Sequence, residues 1–120
     1  MNPAVQAASI AAWNDEAHVQ DNRRRYAEKF AAVTPLIARH LPCTIPDAGF
    51  YLWAKTPIAD TEFTRQLLQR KNVAVLPGSY LGRVADGINP GENFIRLALV
   101  TSLEDCIEAA HRINDFCLSL

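Results

Sequence analysis

Residues 94–113 read FIRLALVTSLEDCIEAAHRI, a strand pattern that passes directly into a helix pattern. The first seven residues alternate between two faces, as the side chains of a pleated strand do. Ser102 with the acids that follow it is typical of a helix start. Apolar residues then recur at helical spacing, at Leu103, Cys106, Ile107, Ala110, Ile113 and Cys117. The stretch predicts a core strand followed by an amphipathic helix.

The segments upstream add further strands and helices to this pair. Helices are predicted at residues 3–13, from a cap at Asn14 or Asp15 to about residue 41, and from Asp60 or Thr61 to about residue 71. Strands are predicted at residues 44–45, 50–55, 73–76 and 94–100, and the glycine-containing stretch 79–93 is predicted to be a long loop. This order predicts an α+β fold, with a small, mostly antiparallel sheet, helices packed on one face and a long helix before it.

Two features of the N-terminal half need a structural explanation. Pro35 interrupts the apolar stripe of the second helix, but the stripe continues in register beyond it, which favours a kink over a restart after Thr34. The stretch from residue 3 to 13 is apolar on nearly every side, so Val5, Ile10 and Trp13 need another surface to pack on. We interpret this as a sign that further chain belongs with the 120 residues.

Length and charge exclude several classes of protein. A chain of 120 residues and 13.3 kDa supports one core. Twelve basic and thirteen acidic residues give a formal charge of −1, which lacks the positive excess that nucleic-acid binding needs. The only basic cluster, residues 23–25, lies among acids and is interpreted as a solvated helix face. No apolar run is long enough for a membrane span and no secretion signal is evident, so we expect a cytoplasmic protein without a membrane partner.

Cysteines and carboxylates offer no clear catalytic site. Cys43, Cys106 and Cys117 form no C-x-x-C pair and have no histidine at a ligand spacing, so neither a metal site nor a catalytic cysteine is favoured. The acidic residues at the predicted helix starts, such as Asp60 and Glu62, are interpreted as partners of the helix dipole rather than as a general acid and base.

Arg96 is the residue that does not fit its strand. It lies in the middle of FIRLALV, where a guanidinium is costly unless a carboxylate or phosphate completes its fork of donors. An internal salt bridge, an exposed sheet face and an anionic ligand all remain open as explanations.

Three motifs together carry a family resemblance. They are DAGFYLW at residues 47–53, VAVLPGSYLG at 73–82 and GENFIRLA at 91–98. With them the chain resembles, over nearly its whole length, the C-terminal small domain of class I/II aminotransferases of fold type I. The opening MNPAVQAAS and the residues DNRR at 21–24 are most similar to the succinyldiaminopimelate transaminases within that family.

The resemblance implies a role for four residues. Arg96 matches the family's arginine that grips the substrate α-carboxylate, which would supply its missing partner. Gly49, Phe50 and Tyr51 match the segment that lines the same substrate pocket. The implied fold is the aminotransferase small domain at residues 16–120, preceded by residues 1–15 as a helix left from the connection to a large domain.

The resemblance also implies what the chain lacks. Family members bind pyridoxal phosphate in the large domain, and Lys29, Lys55 and Lys71 all lie in segments that match the small domain. No catalytic lysine and no cofactor-binding residue is therefore carried over. We expect the chain to be a C-terminal fragment that contributes substrate recognition and domain closure and is inactive alone.

The full-length parent implied by the resemblance is a cytoplasmic homodimer of lysine biosynthesis. It would exchange an amino group between glutamate and a succinylated amino-keto acid, with 2-oxoglutarate and N-succinyl-diaminopimelate as the other partners of the reversible reaction. Two alternatives from other classes are a stand-alone carboxylate-binding module built on Arg96, and a dimerisation module that uses Val5, Ile10 and Trp13.

Overall fold

The chain folds as a small antiparallel sheet with helices on one of its faces, seen in a computed structural model that describes residues 2–120. The helices are α1 (Pro3–Asn14), α2 (Glu16–Ile37), α3 (Asp60–Lys71) and α4 (Leu103–Cys117). The strands are β1 (Tyr51–Lys55), β2 (Leu76–Pro77) and β3 (Phe94–Ala98), and a short 3₁₀ turn covers Gly78–Tyr80. The predicted α+β class is confirmed.

β3 is the central strand, and both neighbours run antiparallel to it in the order β1-β3-β2. Trp53 of β1 and Leu76 of β2 both lie opposite Arg96. The register therefore places Arg96 in the middle of the sheet, with one neighbour on each side.

Strand alternation decides which residues enter the core. Ile95, Leu97 and Leu99 are buried under the helices, as are Leu52 and Ala54 of β1. On the helix side the core continues through Phe30, Val33, Ile37, Leu41, Phe63, Leu67, Cys106, Ala110, Ile113 and Phe116. The rings of Phe63 and Phe116 meet edge to face with centroids 5.1 Å apart, joining α3 to α4.

Two predicted strands differ from those observed. Residues 44–45 form no strand, because they lie between Pro42 and Pro46, which lack backbone donors. Lys55 N of β1 donates a 3.0 Å hydrogen bond to Pro42 O, just before this segment. The strand predicted at 73–76 is observed only at Leu76–Pro77. Val73 and Val75 pack against the core instead of pairing with a strand.

Pro35 does not end α2, which runs without a break from Glu16 to Ile37. Asp15 caps its start by accepting a hydrogen bond of 3.1 Å from Ala17 N. Phe30, Val33 and Ile37 are buried on both sides of the proline, so packing outweighs the missing backbone donor. The prediction that the helix continues through Pro35 is confirmed.

α1 projects from the rest of the molecule. None of its side chains is buried, and Val5, Ile10 and Trp13 are 51%, 63% and 84% exposed. The radius of gyration is 17.5 Å, against about 14 Å for a compact domain of this length. The expected apolar surface on the N-terminal helix is present and uncovered.

The base of the loop at 79–93 is held by close backbone packing. Gly78 and Gly91 are buried and touch each other, so a Cβ on either would overlap the backbone of the other. Asn89 joins the two sides, donating to Ser79 O and accepting from Gly91 N, both at 2.9 Å. The loop is therefore anchored at its base although its tip is exposed.

We expect Gly91→Ala to lower the free energy of unfolding by about 1–3 kcal/mol, because the added methyl group has no free space. Gly87→Ala is the matched control, since Gly87 has φ +77° but nothing within 4 Å of an added Cβ, and should cost about 1 kcal/mol through backbone strain alone. Urea unfolding followed by circular dichroism measures both. A smaller loss for Gly91→Ala than for Gly87→Ala would contradict the close packing of the loop base.

Candidate functional site

Arg96 lies half-buried on the sheet face that the helices leave open. Its Nε is buried and has no hydrogen-bond partner, and no carboxylate within residues 2–120 forms a salt bridge with it. Of the three explanations from sequence, the internal salt bridge is wrong for the described part of the chain. The structure instead combines an open sheet face with an unsatisfied donor.

Aromatic side chains form the immediate surroundings of Arg96. Its guanidinium carbon lies 5.5 Å from the ring centroid of Tyr51, within reach of a cation–π interaction. Trp53 lies opposite Arg96 in register and stacks on Phe94, with centroids 5.7 Å apart and planes 12° from parallel. An anion bound here would meet a positive charge beside aromatic rings, which leave the guanidinium donors free to bind it.

The other predicted pocket residues lie at the start of β1. The rings of Phe50 and Tyr51 meet edge to face at 5.6 Å, so Phe50 supports the ring that lies against Arg96. Gly49 has φ +109°, a conformation that favours glycine. Gly49 and Phe50 line a cavity of about 860 Å³ beside α2, which Arg96 does not line. Tyr51 thus contacts Arg96 directly, whereas Phe50 acts on Arg96 only through the Tyr51 ring. Gly49 lies in the turn before β1 and lines a different cavity.

An apolar cavity of about 590 Å³ adjoins the aromatic side of the site. Tyr51, Trp53 and Phe94 line it together with Cys43 and the proline-flanked segment at 42–46. Burial raises the pKa of the Cys43 thiol, so this group is neutral at neutral pH. The cavity offers shape and apolar contact but no charge.

Asp60 takes part in the architecture of the site in a way that the sequence did not indicate. It is 3% exposed and accepts hydrogen bonds from the backbone N–H of Ser79 at 2.9 Å and of Asn93 at 3.2 Å. Burial alone would raise the pKa of this carboxyl, but the hydrogen bonds from Ser79 and Asn93 outweigh it and hold the pKa below its usual value. Its partners are 19 and 33 residues away, so no local pattern could have revealed them.

The remaining sequence interpretations concern groups away from Arg96. Burial raises the pKa of Cys117 to about 11 and also raises that of Cys106, so neither thiol is activated as a nucleophile. Arg24 forms exposed ion pairs with Asp21 at 2.6 Å and Glu28 at 2.7 Å, which agrees with a solvated helix face. Within residues 2–120, no helix is both long enough and apolar enough to span a membrane.

The lysines of the described chain do not form a site for pyridoxal phosphate. Lys29 donates to Leu99 O at 2.9 Å and lies over the Tyr26 ring, while Lys71 is 3.9 Å from Asp115 on the surface of α3 and α4. Lys55 lies at the exposed end of β1. Lys29 also lines an open surface groove with Arg24, Arg25 and Glu28, but its ammonium is bound to Leu99 O, and within residues 2–120 no lysine lies in an enclosed pocket of the kind that this cofactor needs. The residues of this chain therefore do not fit the cofactor by themselves.

Comparison with known proteins gives one consistent family. The family model described as aminotransferase class I and II matches residues 2–113. The LL-diaminopimelate aminotransferase of Maridesulfovibrio salexigens is 33% identical over 115 residues, which are 92% of this chain and 28% of that protein.

Solved structures agree with the sequence match. A crystal structure of an aminotransferase from Neisseria meningitidis is 46% identical with a TM-score of 0.91, over 97% of this chain and 30% of that one. A probable N-succinyldiaminopimelate aminotransferase from Thermus thermophilus is 33% identical with a TM-score of 0.71, over 85% of this chain and 26% of that one. The chain thus spans less than a third of the length of these relatives.

The matched region includes all three strands of the sheet and the helices that cover its other side, except for the last four residues of α4. Sequence and fold therefore agree that this chain belongs to the class I and II aminotransferase family.

Proposed function

We propose that this chain is the C-terminal small domain of a pyridoxal-phosphate-dependent aminotransferase, in which it binds the substrate carboxylate and closes over the substrate. The observation that carries the proposal is the unpartnered, half-buried guanidinium of Arg96 on the open sheet face. A planar fork of donors held in this way is suited to a planar carboxylate, which pairs with it through two parallel hydrogen bonds.

The neighbours of Arg96 give this pairing its orientation. Tyr51 lies against the guanidinium, and Trp53 and Leu76 lie on either side of Arg96 in the sheet. A substrate held at its carboxylate keeps its Cα–H bond in one orientation, and closure of the domain over it excludes water. In this proposal Phe50 supports the site through its contact with the Tyr51 ring, and Gly49 shapes the turn that leads into β1.

The exposed apolar side chains of α1 support this proposal. Its uncovered apolar residues would pack on the remainder of a longer enzyme, with residues 1–15 as the connection and residues 16–120 as the domain. The relatives are more than three times as long as the region they share with this chain, which is consistent with such a remainder.

The cofactor chemistry is assigned to that remainder. Pyridoxal phosphate, when bound there, supplies the electron sink that amino-group transfer requires. We further propose glutamate and 2-oxoglutarate as one substrate pair and a succinylated amino-keto acid as the other acceptor, in a cytoplasmic homodimer. The relatives named LL-diaminopimelate aminotransferase and probable N-succinyldiaminopimelate aminotransferase favour a substrate of this chemical group.

The intact mass of the native product that carries this sequence tests the domain assignment first. We expect a mass about three times 13.3 kDa, since such enzymes add a large cofactor domain to the small one. Immunoprecipitation from the source cells followed by mass spectrometry gives the value. A native mass of 13.3 kDa would favour one of the two stand-alone modules, and a titration with glutamate or succinate would then separate carboxylate binding from dimerisation.

Arg96→Ala in the longer enzyme should lower kcat/KM for the amino-acid substrate by about 100-fold or more, because the carboxylate loses a charged bidentate partner. Arg96→Lys should be impaired as well, since an ammonium keeps the charge but not the fork. Cofactor absorbance should be unchanged in both variants. Arg112→Ala is the control, because Arg112 is exposed and, among the described residues, pairs with Glu108 alone. Wild-type kinetics for Arg96→Ala would remove Arg96 from the site.

The 120-residue chain alone should not accelerate amino transfer. With glutamate, a 2-oxo acid and pyridoxal phosphate, its rate should equal that of the cofactor without protein, because the proposal assigns the cofactor-binding lysine to the remainder of the enzyme. Coupled detection of 2-oxoglutarate measures both rates, with heat-unfolded chain as the control. Turnover that saturates with substrate and is lost on unfolding would contradict the assignment of catalysis to the remainder.

A further inference from the structure

We propose that Asp60 is a positioning residue for Arg96. Through two backbone amides, Asp60 holds in place the aromatic wall of the carboxylate site, which is formed by the stacked rings of Trp53 and Phe94. The inference rests on the proposed carboxylate-binding role of Arg96. It concerns how that site keeps its shape, and it assigns Asp60 no contact with the substrate.

Burial of the Asp60 carboxylate costs free energy, and the stability of its own helix does not require that burial. It is almost fully buried and forms no salt bridge with a cation within residues 2–120. α3 begins at Asp60, but no side chain caps this helix, and both Asp60 oxygens bind amides from other segments. A group that served only the helix dipole would lie at the surface, as Glu62 in the same turn does.

The first hydrogen bond, from Ser79 N, holds the turn that packs against Trp53. It fixes Ser79 N in the turn at Gly78–Tyr80, whose first residue is packed against the indole ring of Trp53. The packing is close, because a Cβ added to Gly78 would lie 2.9 Å from the ring. Trp53 lies directly opposite Arg96 in the sheet.

The second hydrogen bond fixes the residue that precedes Phe94, which also contacts the Trp53 ring. It fixes Asn93 N, in a residue whose φ is +62° and whose carbonyl accepts a 2.8 Å hydrogen bond from Thr56 N. The next residue, Phe94, stacks on Trp53, and Arg96 follows two positions later on the same face of β3.

Strand pairing alone would hold this region weakly. β2 contains two residues, and one of them is Pro77, which has no backbone donor. Asp60 therefore acts as the cross-link between the Gly78–Tyr80 turn and the start of β3. When its charge is lost, the Trp53–Phe94 wall should loosen and the guanidinium of Arg96 should lose its fixed direction.

The test compares Asp60→Asn with Glu62→Gln in the longer enzyme. Asp60→Asn should raise KM for the amino-acid substrate about tenfold, the range expected for losing hydrogen bonds to a buried charge, with kcat changed by less than about threefold and cofactor absorbance unchanged. Glu62→Gln removes a half-exposed acid from the same helical turn, which within residues 2–120 hydrogen-bonds only to Arg65 and Gln66, and should leave KM unchanged.

A double-mutant cycle separates positioning from a general loss of stability. In an Arg96→Ala background, Asp60→Asn should raise KM by less than about twofold, because it acts through the residue already removed. An equal rise in both backgrounds, or an unchanged KM in a folded Asp60→Asn enzyme, would overturn the proposal. If Arg96→Ala itself leaves kcat/KM unchanged, the carboxylate-binding function fails first, which is a different result.

A spectroscopic measurement on the 120-residue chain tests the physical link without activity. Trp13→Phe removes the exposed indole and leaves Trp53 as the only tryptophan. In this background Asp60→Asn should shift Trp53 emission and increase its quenching by acrylamide, while Glu62→Gln should change neither. Identical Trp53 emission and quenching in all three proteins would disprove the link between Asp60 and the aromatic wall.

Discussion

The alternation of side chains along β3 is the constraint on which the rest of the structure depends. Ile95, Leu97 and Leu99 enter the core under three helices, so Arg96 must emerge on the opposite face of the sheet. A shift of the strand by one residue would bury the guanidinium and expose the apolar residues. The same strand register therefore buries the apolar residues and leaves Arg96 on the open face. Because β1 pairs with β3 in this register, Tyr51 and Trp53 become the aromatic neighbours of Arg96.

Much of this architecture could be predicted because it is local. The period-two pattern at 94–100 and the helical stripe after Ser102 each describe a single element, and α2 keeps its apolar stripe across Pro35. Arg96 was also recognisable in the sequence, since a charge inside a strand of apolar residues requires an explanation. These features depend on periodicity and on the cost of burying charge, both of which can be read from neighbouring residues.

The parts that could not be predicted depend on contacts between distant segments. The strand predicted at 44–45 has the right residues, but the prolines on either side of it, Pro42 and Pro46, lack the backbone donors that would extend its pairing. Asp60 looked like an ordinary acid at a helix start until the fold placed Ser79 and Asn93 against it. The contact of Gly78 with Gly91 likewise joins two turns that are thirteen positions apart, and spacing alone does not predict such contacts.

The placement of Arg96 also bears on how an aminotransferase would use a separate small domain. If the residue that binds the substrate carboxylate lies on this domain and the cofactor lies on another, a bound substrate bridges the two domains and favours the closed arrangement. The free energy of the carboxylate–guanidinium pair then contributes to closure as well as to affinity, because the open enzyme cannot make both sets of contacts at once. Such coupling requires a rigid direction for the guanidinium, since a freely rotating side chain would bind without drawing its domain along. The buried Nε, the Tyr51 ring and the cross-link at Asp60 are the features of this chain that provide that rigidity.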